Sequence, residues 1–475
     1  MNKRAFFKNI SYTLGSNVLS FIISVIAVLV VPRFLGVELY GYFQLYIFYI
    51  NYIGFFHFGW ADGIYLRYGG AYYDELDRHK MSGQFWGLFF FEALISIGIG
   101  LYAVVFISQE QRTAVLLCTA IAVILVLPRT LLQYVLQCTN RIKENAVVVT
   151  VERVGYLVFV LGVLFVGIRD FLPVVIADLI GKLISLIFAL YYCRSIVKST
   201  PEKIVNILME AKENISVGIK LMFSNVASLL IIGIVRYAME RHWDIVSFGK
   251  VSLSISVSNM LMVMVTAVSL VMFPTLRRIN QDQYARVYMM IRSILMYCLL
   301  GMLIVYYPAK LILSIWLPQY ADSLRYMAIL FPMCVFESKY SMLINTYMKT
   351  LRKEDKLLVV NTCSMALSFI LTGITVFCLN NMDLAILSIV LLLAFRCIFA
   401  ELIVTKVIKI DEKKDIILEV LVVIIFILSS WIIGGIKGML VYAICFSAYL
   451  FIKREDFSNV LKYCWGIVSK RIRKN

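Results

Sequence analysis

Residues 171–193 read FLPVVIADLIGKLISLIFALYYC. Only Asp178 and Lys182 in this stretch are charged, and they stand four residues apart. A helix that crosses the hydrocarbon core of a bilayer needs about 20 mostly apolar residues. This stretch meets that length, and it does not alternate as a barrel strand would. Two charges one helical turn apart lie on the same face and suit an ion pair. The stretch therefore reads as a membrane helix with a polar seam.

The rest of the chain repeats the pattern. It has 475 residues, of which 61% are hydrophobic and 16% charged. A soluble domain carries about 25% charged residues, so a soluble enzyme is excluded, and the apolar content excludes disorder. Fourteen apolar segments follow one another: 11–31, 42–64, 83–107, 113–138, 146–168, 171–193, 217–239, 250–273, 293–316, 324–347, 357–378, 383–404, 416–434 and 436–452. The first run is longer than a signal core and no small-x-small cleavage site follows it, so it reads as a span. With the N-terminus inside, the inner connections hold 31 Lys and Arg and the outer ones 5, counting Lys437 at the outer end of the last segment. That asymmetry sets the orientation and puts both termini in the cytoplasm.

No connection is long enough to hold a soluble domain. The segment 201–216 patterns as an amphipathic surface helix with Ile204, Ile207, Leu208 and Ala211 on one face. The tail groups Val460, Leu461, Cys464, Trp465 and Val468, with Lys462, Lys470, Arg471, Arg473 and Lys474 around and after them. That pattern suits an anionic inner leaflet. The ten cysteines include no C-x-x-C pair and read as apolar filler. His57, His79 and His242 are scattered. No metal site, nucleic-acid partner or cofactor is expected.

The halves echo each other. Asn9-Ile10-Ser11 corresponds to Asn214-Ile215-Ser216, Asn17-Val18 to Asn225-Val226, and Tyr40-Gly41 to Phe248-Gly249, at offsets of 205, 208 and 208. Six spans separate the copies, so the repeat is parallel, as in many transporters. The expected fold is an all-α integral membrane protein of about fourteen helices, in two pseudo-symmetric six-helix bundles plus two C-terminal helices. Its parts are an N-terminal lobe (1–200), a cytoplasmic linker (201–216), a second lobe (217–410), and helices 13 and 14 with the basic tail (411–475).

Two motifs carry a family resemblance. Lys8-Asn9 before span 1, followed by Pro32-Arg33-Phe34-Leu35-Gly36-Val37-Glu38-Leu39-Tyr40-Gly41-Tyr42-Phe43, resembles the entry to the bacterial flippases of O-antigen and capsule repeat units. The stretch Phe58-Gly59-Trp60-Ala61-Asp62-Gly63-Ile64-Tyr65-Leu66-Arg67-Tyr68-Gly69 resembles the end of that family's second span. The family belongs to a superfamily with multidrug exporters and the peptidoglycan-precursor flippase. The resemblance implies a transporter, not an enzyme, in the bacterial inner membrane. It implies transfer of an undecaprenyl-diphosphate-linked oligosaccharide from the cytoplasmic to the outer leaflet by alternating access, for surface polysaccharide. Spans 1, 2, 4, 5, 7, 8, 10 and 11 would line the cavity. Some members couple to a proton or sodium gradient. A polysaccharide polymerase and its chain-length machinery are the candidate protein partners.

Charges within spans are costly, so each is a functional candidate. At about 1.5 Å rise per residue, Arg129, Arg153, Lys339 and Arg396 lie at similar depth, with Lys182 slightly deeper. Such a band suits a diphosphate, which accepts forked, charge-assisted hydrogen bonds. Arg129, Arg153 and Lys339 fall on spans the family uses for its cavity. Arg236 and Lys220 sit near the two ends of span 7, and Asn17, Asn51 and Asn225 are candidates to bind sugar. The same band holds Glu92, Glu152, Asp178 and Glu337, which opens the alternative of structural pairs, Arg129 with Glu152 and Asp178 with Lys182. Glu152 and Glu337 are the candidates for proton or cation coupling. Pro128, Pro308 and Pro332 lie inside spans and can kink them. A cation-coupled multidrug exporter and a peptidoglycan-precursor flippase are the competing functions. A membrane polymerase or glycosyltransferase would need a large outer loop, which this sequence lacks.

Overall fold

The computed structural model describes the backbone of residues 3–276 and 283–454, and the side chains of residues 15, 18–260, 262 and 283–454. Asn17 as a side chain and the basic tail beyond 454 lie outside this set. The described chain is almost entirely helical and contains no strand. This follows from the solvent. Lipid offers no partner for backbone N–H and C=O groups, so each segment must satisfy its own.

Eighteen α-helices are described: α1 Lys3–Ile53, α2 Trp60–Arg67, α3 Arg78–Phe106, α4 Glu110–Cys138, α5 Ile142–Phe165, α6 Phe171–Tyr192, α7 Arg194–Val197, α8 Ile204–His242, α9 Ile245–Leu276, α10 Tyr284–Met302, α11 Tyr306–Trp316, α12 Tyr326–Leu330, α13 Met333–Ser338, α14 Asn345–Thr350, α15 Glu354–Thr372, α16 Met382–Ile408, α17 Lys413–Leu428 and α18 Gly435–Ile452. Among the described residues, 12 helical stretches are long and apolar enough to cross a membrane. Every one of the fourteen expected segments is occupied by helix. The difference in count has two sources. One is the 40-residue stretch Val18–His57, which at about 60 Å is twice the hydrocarbon thickness. It holds two expected spans on either side of Gly36, whose φ of 77° and ψ of 175° break the helix. A side chain would strain that conformation. The other is α9, part of which lies outside the described side chains.

The expected second span is also interrupted. After α1 the chain makes a 3-10 turn, Gly54–His57, then left-handed residues at Phe58 (φ 49°) and Gly59 (φ 83°) before α2. Pro308 and Pro332 sit at breaks too. A 3-10 turn at Leu303–Val305 precedes α11, and Pro332 separates α12 from α13. Each proline lacks the N–H that would continue the helix. Pro128, in contrast, lies within the continuous helix α4. The segment 204–216 is not a separate helix but the first turns of α8. Its apolar residues divide: Ile207 and Ala211 turn inward, while Ile204 and Leu208 are exposed beside Val205 and Met209.

The chain forms two compact units. The first comprises Met1–Leu229 with Asp244–Ser252, and the second Leu230–Trp243 with Leu253–Asn475. In the first, α5 packs on α6, α3 on α4, α4 on α6, and α1 on α4 and α5. Its core joins Trp60, Leu88, Leu131, Leu136, Val148 and Ala211. Small residues bring the backbones together, as is common between membrane helices. A Cβ on Gly181 of α6 would lie 2.7 Å from the Glu152 carbonyl oxygen of α5. In the second unit α16 packs on α12, α13 and α15, and α17 on α18. Tyr306, Tyr307, Phe331, Phe426 and Tyr442 form a run of ring contacts there. Large side chains such as Leu94, Phe106, Phe165 and Ile444 point outward, as in a protein whose outer solvent is lipid.

Candidate functional site

The close approach of α5 and α6 sets Glu152 beside Lys182. A buried quartet results. Arg129 donates to Glu152 and, at 3.3 Å, to Ser185 Oγ. Lys182 lies 2.6 Å from Asp178 and 3.6 Å from Glu152. Tyr46 of α1 donates to Asp178 at 2.7 Å. Two cations and two carboxylates cancel. The i,i+4 pair of residues 178 and 182 is formed, and so is the pair of Arg129 with Glu152. Removing charge from water is tolerated here because each ion has a partner of opposite sign.

Arg153 follows Glu152 by one residue and is exposed. Successive helical residues are turned by about 100°, so one side chain enters the quartet and the next leaves it. Lys220, Asn51 and Asn225 are exposed as well, and Arg236 is partly exposed.

The second unit has its own buried charge group. Lys339 lies 2.6 Å from Glu401 and 2.7 Å from Glu419. Arg292 lies 2.8 Å from each of the same two carboxylates. Lys339 begins a π-helical turn, Lys339–Ile344, a local widening that is frequent at functional positions. The group continues toward Asp415, 3.4 Å from Arg292, and Glu412, 3.6 Å from it. Lys453 pairs with Asp415. Burial, then the hydrogen bond with Asp415, pushes the Glu412 carboxyl up to about 7. A polar cavity of about 350 Å³ opens beside Glu412, Asp415 and Lys453. Separately, Arg396 pairs with Glu337 and stacks 4.1 Å from the centre of the Tyr340 ring. Tyr340 donates to Asn361 at 2.9 Å.

Arg129, Lys182, Lys339 and Arg396 are therefore all in ion pairs, and so are Glu152 and Glu337. Sequence reasoning missed Arg292, Glu401 and Glu419. The last two fall within expected spans near their ends, and that was the available signal. Among the described residues no group of three His, Cys, Asp or Glu is placed to hold a metal ion.

A third feature joins α2 to the start of α8. A Cβ on Gly63 would lie 1.9 Å from the Asn214 carbonyl oxygen, and one on Gly218 would lie 2.0 Å from that of Gly59. Around this contact Arg67 donates to Glu210 at 2.7 Å, to Asn214 at 2.6 Å and to Glu213 at 2.6 Å. Lys80 pairs with Glu210 at 2.7 Å. Gln84 links Trp60 and the buried Asn214. A second glycine contact joins α1 to the start of α9. A Cβ on Gly249 would lie 2.9 Å from Gly41 Cα. The two glycines equated by the sequence repeat thus touch. Both contacts belong to motifs the sequence singles out, and their glycines are there because backbones meet.

Many apolar helices with paired internal charges and glycine-mediated helix contacts define a multi-pass helical membrane protein. The family is shown by sequence. The model of a family described as "Polysaccharide biosynthesis protein" matches residues 6–280, more than half of the chain, and the chain belongs to that family. No curated protein matches in sequence. Among solved structures, the chain is similar to the lipid II flippase MurJ in an inward closed conformation. Identity is 14%, coverage 94% of this chain and 99% of that one, and the TM-score 0.68. It is also similar to a multidrug resistance MATE family transporter of the MOP superfamily in its inward-facing conformation. There identity is 10%, coverage 83% and 98%, and the TM-score 0.60. At such identities the likeness is one of fold.

Proposed function

We propose that this chain is a flippase that carries an undecaprenyl-diphosphate-linked oligosaccharide from the cytoplasmic to the outer leaflet of a bacterial inner membrane by alternating access. The observation that carries this reading is the coincidence of two findings. The family is one of polysaccharide biosynthesis, and the fold follows that of a lipid II flippase over 94% of the chain. The chemistry agrees. Diphosphate and sugars do not cross hydrocarbon unaided, whereas the polyprenyl tail can stay in lipid. Translocation makes and breaks no covalent bond.

In this reading the paired cations Arg129, Lys182, Lys339 and Arg396 hold helices together. The exposed Arg153 and Lys220 are then the groups that meet the diphosphate, with Arg236 assisting. Asn51 and Asn225, both exposed, are placed for sugar hydroxyls, and Asn17 retains that role from its sequence position. Ion coupling through Glu152 or Glu337 requires their pairs to open. A multidrug exporter is supported by the fold likeness alone, and the family favours polysaccharide.

The test is reconstitution of the full-length protein in vesicles with a polyprenyl-diphosphate oligosaccharide. Exposure of the sugar to an impermeant lectin should depend on the protein. Export of cationic drugs without sugar exposure would overturn the assignment.

A further inference from the structure

With Glu152 and Glu337 both paired, one buried carboxyl stands apart. Glu92 on α3 has no exposed surface, and neither of its oxygens has a hydrogen-bond partner. Among the described residues it forms no ion pair. α3 packs on α4, α7 and the turn Gly54–His57, and it also meets Trp60 of α2 and Ile207 of α8. Of the charged groups on those two helices, Asp62 lies 3.7 Å from His57, and Glu210 and Glu213 take Arg67. Arg129 of α4 is turned to Glu152, and Arg194 of α7 lies over the Tyr191 ring. His57 accepts from the Gly59 N–H. On α3 itself, Lys80 is paired with Glu210. A lone carboxylate ion in such surroundings is strongly disfavoured, while the acid form is not. The acid form has one O–H to donate.

The register of α3 on α4 supplies an acceptor. These helices run antiparallel, joined by residues 107–109. A Cβ on Gly100 would lie 3.9 Å from Leu117, and Ser96 donates to the Ala120 carbonyl at 2.7 Å. One turn further, Glu92 comes level with Ile124. Pro128 lies four residues beyond Ile124 inside α4. A proline has no N–H, so the Ile124 carbonyl lacks its helical donor. A group that must donate and a carbonyl that lacks a donor thus share one level of the helix pair.

The geometry points to Glu92 as a proton-binding site within the membrane, its acid O–H directed at the Ile124 carbonyl that Pro128 leaves open. Loss of the proton strands a negative charge between α3 and α4, and uptake restores the bond. Glu92 is then the group through which a proton gradient acts on this protein. That last step rests on the transport reading above, whereas the bound proton does not.

The test uses full-length protein in nanodiscs and infrared spectroscopy. Wild type minus Glu92→Gln at neutral pH should show the carbonyl stretch of a hydrogen-bonded carboxylic acid. A carboxylate signal in its place overturns the proposal. Pro128→Ala gives Ile124 its backbone donor, so the acid band should shift toward that of a free acid. An unmoved band overturns the pairing, and this variant serves if Glu92→Gln does not fold. In vesicles, a pH gradient should accelerate sugar exposure by wild type and not by Glu92→Gln. Equal acceleration in both removes the coupling role. If wild type exposes no sugar at all, the transport reading falls while the infrared result still decides the proton site.

Discussion

Replacing Gly63 with alanine tests whether the contact of α2 with α8 is a closed latch. The added Cβ would lie 1.9 Å from the Asn214 carbonyl oxygen, against 3.4 Å for the nearest ordinary contact. The two backbones must therefore part by about 1.5 Å, since backbone atoms of packed helices cannot rotate aside. The Arg67 bonds to Glu210, Glu213 and Asn214, now 2.6–2.7 Å, stretch beyond hydrogen-bond range unless the guanidinium follows. Overpacking of this kind costs about 1–3 kcal/mol. If that cost falls on the closed arrangement alone, the closed-to-open ratio changes about 5–150-fold. The assay places a cysteine at Ala211, which is buried in the core beside this contact. Exposed native cysteines are removed first, and maleimide labelling is followed in permeabilised membranes. Gly63→Ala should raise the labelling rate by that factor and change transport, while the protein stays in the membrane. Labelling and transport equal to those of the glycine form would refute the latch.

Arg129→Ala leaves Glu152 with only the 3.6 Å contact to Lys182 and should lower stability by about 3–5 kcal/mol, read as thermal unfolding of purified protein. Replacing both Arg129 and Glu152 with leucine should recover much of that loss, and equal instability of both variants would argue against a structural pair. Arg153→Ala removes an exposed charge, so it should shift stability by less than about 0.5 kcal/mol yet abolish sugar exposure. Full transport by this variant removes Arg153 from the diphosphate site. Glu412 has its folded pKa raised from 4.5 to about 7. Its stabilising contribution is thus complete below pH 4.5 and is lost as pH rises through about 7. Unfolding measured from pH 4 to 8 should show this decline in wild type and not in Glu412→Gln.

The helical membrane class and the positions of the spans were legible in the sequence because each is written locally. Hydropathy summed over about 20 residues is enough to specify a crossing. The Asp178–Lys182 pair was legible for the same reason, since an i,i+4 spacing fixes a shared face. The glycine motifs were visible as motifs, but not as the places where Gly63 meets Asn214 and Gly41 meets Gly249.

The tertiary structure decided which charges are spent. A side chain's partner depends on which helix lies alongside and on rotation about the helix axis, and neither is written in hydropathy. Glu152 and Arg153 are neighbours of equal cost in lipid, yet a turn of about 100° places one in a neutral quartet and the other at the surface. Lys339 and Arg292 stand far apart in the chain, and they share Glu401 and Glu419 only because α10, the π-helical turn Lys339–Ile344, α16 and α17 pack together. In the sequence Glu92 was one acid of the band, and Glu152 rather than Glu92 was the coupling candidate. Only the packing of α3 on α4 left Glu92 without a partner and level with a carbonyl that a proline had opened.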